Sequence, residues 1–122
     1  MQTMNKWFLK IDVDEMKCYP IKIEEVSEEG LESLSPLYKE IKCDIVERVS
    51  LGDNLELWID EEGLFTKKNA FCLTSYLSPI RGNAILAQYN YKGETHGWES
   101  NEDVPLIHIS DWLLIEDPTD FV

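Results

Sequence analysis

Apolar and polar residues alternate with a period of two along much of this chain. Trp7, Leu9, Ile11 and Val13 interleave with Phe8, Lys10, Asp12 and Asp14, which predicts a strand with the first set on a buried sheet face. A turn at Asp14 to Lys17 follows, and Tyr19, Ile21 and Ile23 then alternate with Pro20, Lys22 and Glu24, so the two runs read as an antiparallel hairpin. Pro20 has no N–H for a ladder, which places the second strand at an edge or gives it an irregular start.

The period changes after Ser27. Its hydroxyl can cap free amides, and Glu28 and Glu29 suit the positive end of a helix dipole. Leu31, Leu34, Leu37, Tyr38 and Ile41 continue at helical spacing. Ser35-Pro36 interrupts them, because proline disfavours a helical residue before it but is accommodated in a first turn. Two short helical pieces are expected, or one with a break at Ser35.

A second hairpin is expected from Cys43, Ile45 and Val49 through Leu51-Gly52-Asp53-Asn54 to Leu55, Leu57 and Ile59, closed by Asp60-Glu61-Glu62-Gly63 with Gly63 able to take positive φ. A loop covers Phe65 to Asn69. Ala70 to Leu77 fits a short helix or a strand, ended by Ser78-Pro79. Gly82 precedes a run from Asn83 to Tyr91 in which Ile85, Ala87, Tyr89 and Tyr91 share a face, as in a central strand. Lys92 to Asn101 is polar and turn-rich. Val104 to Ile115 is ambiguous, read as a helix or turn at Glu102 to Ile107 and an extended piece at His108 to Ile115. With no repeat or linker, residues 1–122 form one α+β domain: a mostly antiparallel sheet of about five strands with one or two short helices packed on one face.

Composition supports a folded core, since apolar residues make up 43% of the chain. Met1 to Lys10 lacks a basic run followed by an apolar stretch of signal-peptide length, and no apolar run approaches the roughly 20 residues of a membrane span. Cys18, Cys43 and Cys72 are odd in number and widely spaced, which fits neither a disulfide framework nor a zinc ribbon. A reducing, cytoplasmic setting without membrane contact is expected.

Charge changes the picture most. The net charge of −13 and the lack of clustered Lys and Arg, with Lys67 and Lys68 the only adjacent basic pair, argue against direct nucleic-acid binding. The excess is uneven: from Tyr91 to Val122 eight acids face Lys92 alone, so this stretch could meet a basic protein surface. The candidate contact residues are Glu99, Glu102, Asp103, Asp111, Trp112, Glu116 and Asp117.

Catalytic and metal signatures are missing. His96 and His108 have no metal-ligand spacing; His96 reads as part of a solvated turn and His108 as a hydrogen-bonded sheet or core-edge residue. A calcium loop counted from Asp12 places Lys17 and Ile23 where Gly and Glu are needed. Asp60-Glu61-Glu62 reads as an acidic turn before it reads as a magnesium site. Phosphate-loop, dinucleotide and nucleophile-elbow motifs do not occur. No cofactor, metal or catalytic residue is assigned, and a non-enzymatic protein is expected. Trp98, Trp112, Tyr89 and Tyr91 could form an aromatic contact patch or simply pack in the core.

One resemblance bears on function. Tyr38-Lys39, Cys43-Asp44-Ile45-Val46-Glu47-Arg48, Leu57-Trp58-Ile59-Asp60-Glu61-Glu62-Gly63-Leu64, Asn69-Ala70 and Ile80-Arg81-Gly82-Asn83-Ala84-Ile85-Leu86 are similar to a family of small uncharacterised domains of bacteriophages, plasmids and conjugative elements. The likeness spans about Leu37 to Asn90. It implies a small α+β domain with an Asp-Glu-Gly turn and a Gly before the last central strand, and no catalytic residue. Two functions follow as expectations. One is an accessory protein of a phage or mobile element, acting by protein contact through its acidic face, with a host defence or DNA-handling factor as target. The other is a dimeric domain binding a nucleotide or other anion through Arg48, Lys67 or Arg81.

Overall fold

The structure is a computed structural model, and it describes residues 5–63, 68–74 and 76–114. It is mostly antiparallel sheet with one short helix. The elements are β1 (Trp7–Asp12), β2 (Lys17–Lys22), β3 (Val26–Ser27), β4 (Gly30–Leu31), α1 (Ser35–Ile41), β5 (Val46–Gly52), β6 (Leu55–Asp60), β7 (Ala70–Leu73), β8 (Tyr76–Arg81), β9 (Ala84–Tyr89), β10 (Thr95–His96) and β11 (Ile109–Leu113). A six-stranded sheet runs β2-β1-β9-β6-β5, with β10 also paired to β9; β11-β7-β8 form a second sheet and β3-β4 a small hairpin.

The central sheet is buried on both faces, and this is the main departure from the single buried face that alternation predicts. Leu9, Ile11, Leu57, Ala84 and Leu86 pack with Phe71, Leu73 and Ile80 of the second sheet. The intervening residues Phe8, Trp58, Ile85 and Ala87 pack with Leu37 and Ile41 of α1 and Val26 of β3. Phe8, expected on the outer face, is therefore fully buried.

Both expected hairpins form. β1 and β2 pair from Trp7↔Lys22 to Asp12↔Lys17, with Pro20 on an edge strand where its missing N–H is harmless. β5 and β6 turn at Asp53-Asn54, which both take positive φ (51° and 63°) and so match the right-handed strand twist. β9 is central, as its apolar run predicts.

Three expectations need correction. Ser27 does not cap a helix: the Glu29 N–H does donate to its hydroxyl, but Gly30 at φ 100° folds the segment back so that Ser27 pairs Gly30. The single helix starts at Ser35 with Pro36 in its first turn and ends on Lys42, whose φ of 62° is left-handed and whose N–H reaches the Tyr38 carbonyl. Ser78-Pro79 does not end an element, because Pro79 sits inside β8, an edge strand that tolerates it. Gly63 does not have positive φ; a Cβ there would lie 3.0 Å from the Arg81 carbonyl oxygen, so close backbone approach explains it. Of the helix or turn expected at Glu102 to Ile107, a turn forms, with the Asp103 N–H donating to the Ser100 carbonyl, and the extended piece is the shorter β11.

The last third is spliced into the sheet. β10 pairs Thr95↔Tyr89 and His96↔Gln88, and Trp98 then exchanges backbone hydrogen bonds with Trp7 (Trp7 N–H to Trp98 O 3.0 Å, Trp98 N–H to Trp7 O 2.6 Å). Residues 95–98 thus wedge between the start of β1 and the end of β9. A Cβ at Gly97 would overlap the Trp7 carbonyl, so only glycine fits. No helix among the described residues is long and apolar enough to cross a membrane.

Candidate functional site

The acidic stretch is held in place by a buried carboxylate. Glu56 lies on β6 between Leu55 and Leu57 and is 1% exposed. Its Oε1 accepts from Thr95 Oγ1 at 2.5 Å and from Trp58 Nε1 at 3.2 Å, and its Oε2 is 3.3 Å from Arg48 Nε. Arg48 also donates to the Gly93 carbonyl at 3.1 Å and lies 5.8 Å from the Trp58 ring centroid. A buried carboxylate is tolerated only with such partners, and here they tie β5 and β6 to residues 93–95. Alternation treats Glu56 as solvent-facing; its burial follows from a sheet covered on both sides, which a strand pattern does not reveal.

From that anchor the chain runs over the second sheet. Val104 is buried, and Ile107, Ile109 and Trp112 pack against the same core. The Trp112 ring stands 6.4 Å from that of Phe71 at 53°. Trp112 is thus half-buried and fastens β11, while Glu99, Glu102, Asp103 and Asp111 point outward and are exposed. Leu106 is 95% exposed, Leu114 50% and Leu113 39%. These leucines lie in the same stretch of sequence as the acids, and sequence reasoning missed them because it assigned apolar residues to the core. Glu116 and Asp117 lie outside the described residues.

The acids of this stretch have no cationic partner among the described residues. Every ion pair there uses an acid from Glu15 to Asp60, as in Lys10–Glu40 at 3.0 Å and Lys68–Asp60 at 2.8 Å. Asp103 accepts only from the Ser100 hydroxyl. Among the described residues, the negative charge of this stretch is therefore not neutralised by ion pairs.

The residues proposed for an anion site are not brought together. Arg48 is on β5 of the large sheet and committed to Glu56; Arg81 ends β8 of the small sheet and donates to the Lys68 carbonyl at 3.3 Å; Lys67 lies outside the described residues. An open depression of about 300 Å³, lined by Asn5, Gln88, Tyr89, Asn90 and His96, contains neither arginine. His96 is on β10 and not in a free turn, and His108 is exposed and not in the sheet.

No group of three or more His, Cys, Asp or Glu side chains among the described residues is arranged to hold a metal ion. The three cysteines are free, and burial pushes the Cys18 and Cys43 thiols up, which favours the protonated form. No protein-family model matches the chain, and neither a curated protein nor a solved structure matches it.

Proposed function

We propose that this chain is a non-enzymatic accessory protein of a phage or mobile element. It acts in the cytoplasm by docking the acidic, leucine-bearing face of residues 99–114 on a basic protein surface. The target class is a host defence or DNA-handling factor, whose nucleic-acid-binding surface is basic by necessity.

One observation carries this reading: Glu99, Glu102, Asp103 and Asp111 are exposed and unpaired with cations among the described residues, in a stretch whose one Lys or Arg is Lys92, whereas the cations earlier in the chain are engaged by Glu15, Glu24, Glu40, Glu56 and Asp60. An uncompensated negative face steers a basic partner and suppresses association with acidic ones. Exposed leucines within the same stretch add apolar area that desolvates on contact.

The test is capture from host lysate by the wild-type chain and by a Glu99→Lys/Glu102→Lys/Asp103→Lys variant. A partner should be retained by the wild type, lost by the variant, and released as salt shortens the screening length to about 10 Å at 0.1 M. A partner indifferent to both charge reversal and salt would overturn the reading.

A further inference from the structure

We propose that the outer edge of β11 is a strand-addition site, taking an extended segment of a partner protein in which Lys or Arg alternates with apolar residues. The proposal rests on the acidic-face reading and adds the mode of recognition.

The two main sheets end in four strands, and three of these edges are defended. β2 carries Pro20 with Lys17 and Lys22, β8 carries Pro79 and Arg81, and β5 carries Arg48. β11 has no proline, lysine or arginine. Its one irregularity falls between Ile109 and Asp111, beyond which Asp111, Trp112 and Leu113 pair one to one with Cys72, Phe71 and Ala70. Among the described residues its backbone bonds only to β7, so its other edge is open.

The side chains define the occupant. Ile109 and Trp112 turn to the core, which leaves Asp111 and Leu113 alternating on the solvent side with Leu114 exposed beyond them. An added strand of that alternation would set its cations on the solvent face beside Asp111 and its apolar side chains on the core face beside the half-buried Trp112, the cross-strand pairings that stabilise sheets. A second copy of this chain would instead bring another net charge of −13 to an acidic edge.

Backbone amide hydrogen exchange with synthetic peptides tests this. The probes are an alternating Lys-Val peptide and a Lys-Gly peptide of equal length and charge, which lacks strand propensity. The Lys-Val peptide should slow exchange in residues 109–114 by about tenfold or more, with no such protection from Lys-Gly. Asp111→Lys, which keeps the register to β7, should abolish the protection. If both peptides bind equally without protecting 109–114, the edge proposal falls and the acidic-face reading stands. Protection at β2 or β5 instead, or no binding at low salt, also overturns it, and capture from lysate then decides the acidic-face reading separately.

Discussion

Thr95 Oγ1 donates to Glu56 Oε1 across 2.5 Å, joining a two-residue strand to the most deeply buried acid among the described residues. The bond matters because it links the central sheet to the segment that carries the exposed acids. Thr95→Val keeps the shape and removes the donor, leaving a buried oxygen with less compensation. A loss of about 1–3 kcal/mol is expected in urea unfolding. Arg48→Ala should cost less, within about 1 kcal/mol, because Arg48 is half exposed and its pairing is screened by solvent. A larger loss for Arg48→Ala than for Thr95→Val would mean that the ion pair, and not the hydroxyl, holds the junction.

Gly97 and Gly52 offer a paired comparison. A Cβ at Gly97 would overlap the Trp7 carbonyl, a backbone atom fixed by the Trp7–Trp98 bridge, so Gly97→Ala must force the splice apart. A loss of at least about 3 kcal/mol is expected. Gly52 has nothing within 4 Å of such a Cβ but sits at φ 83°, so Gly52→Ala pays only for conformation, about 1 kcal/mol. Thermal unfolding of the two variants side by side reads the difference, and equal losses would count against the splice as a rigid feature.

Asp12 and Lys10 predict opposite limbs of a stability–pH curve. Burial pushes the Asp12 carboxyl up, but the N–H of Glu15, the Tyr19 hydroxyl, the N–H of Asp14 and the Lys10 charge outweigh it and hold it below its usual range. A carboxyl depressed in the folded state stabilises above its unfolded value, near 3.9, and that contribution is lost as pH falls through the folded one. Burial pushes Lys10 down, but its bond and attraction to Glu40 prevail and raise it. Its contribution is full below about 10.4 and is lost as pH rises through the folded value. Urea midpoints should therefore decline at both extremes, with Asp12→Asn flattening only the acid limb and Glu40→Gln only the alkaline one.

Much of the sheet was legible from alternation. β1, β2, β5, β6 and β9 follow period-two runs, and the positive-φ pair Asp53-Asn54 is the turn their spacing asks for. The failures share a cause, since each depended on what lies next to the segment in space. Ser27-Glu28-Glu29 carries real capping chemistry, yet Gly30 fits only a tight reversal because a Cβ there would press within 2.7 Å of the Thr95 carbonyl oxygen. Pro79 reads as a stop until β8 is known to be an edge. Glu56 reads as solvated until α1 and β3-β4 are seen covering that face.

The candidate site was legible in part. Charge counting found Glu99, Glu102, Asp103 and Asp111, and these are exposed. It could not find Leu113, which a bulged edge strand fastened through Ile109 and Trp112 leaves outside, or Leu106 and Leu114, which lie exposed on either side of that strand. Nor could it separate Arg48 from Arg81, which composition treats as equivalent cations and the fold assigns to different sheets.

The wedge made by residues 95–98 has a temporal meaning for a chain made from its N-terminus. The β1-β2 hairpin can close early, but the gap between β1 and β9 stays unfilled until the glycine at 97 has left the ribosome, so the sheet completes only after residues 95–98 emerge. Cutting the chain after Asn90 would therefore pull a stave from the sheet and would not simply trim an acidic appendage, which makes point substitution the only clean way to interrogate that third of the molecule.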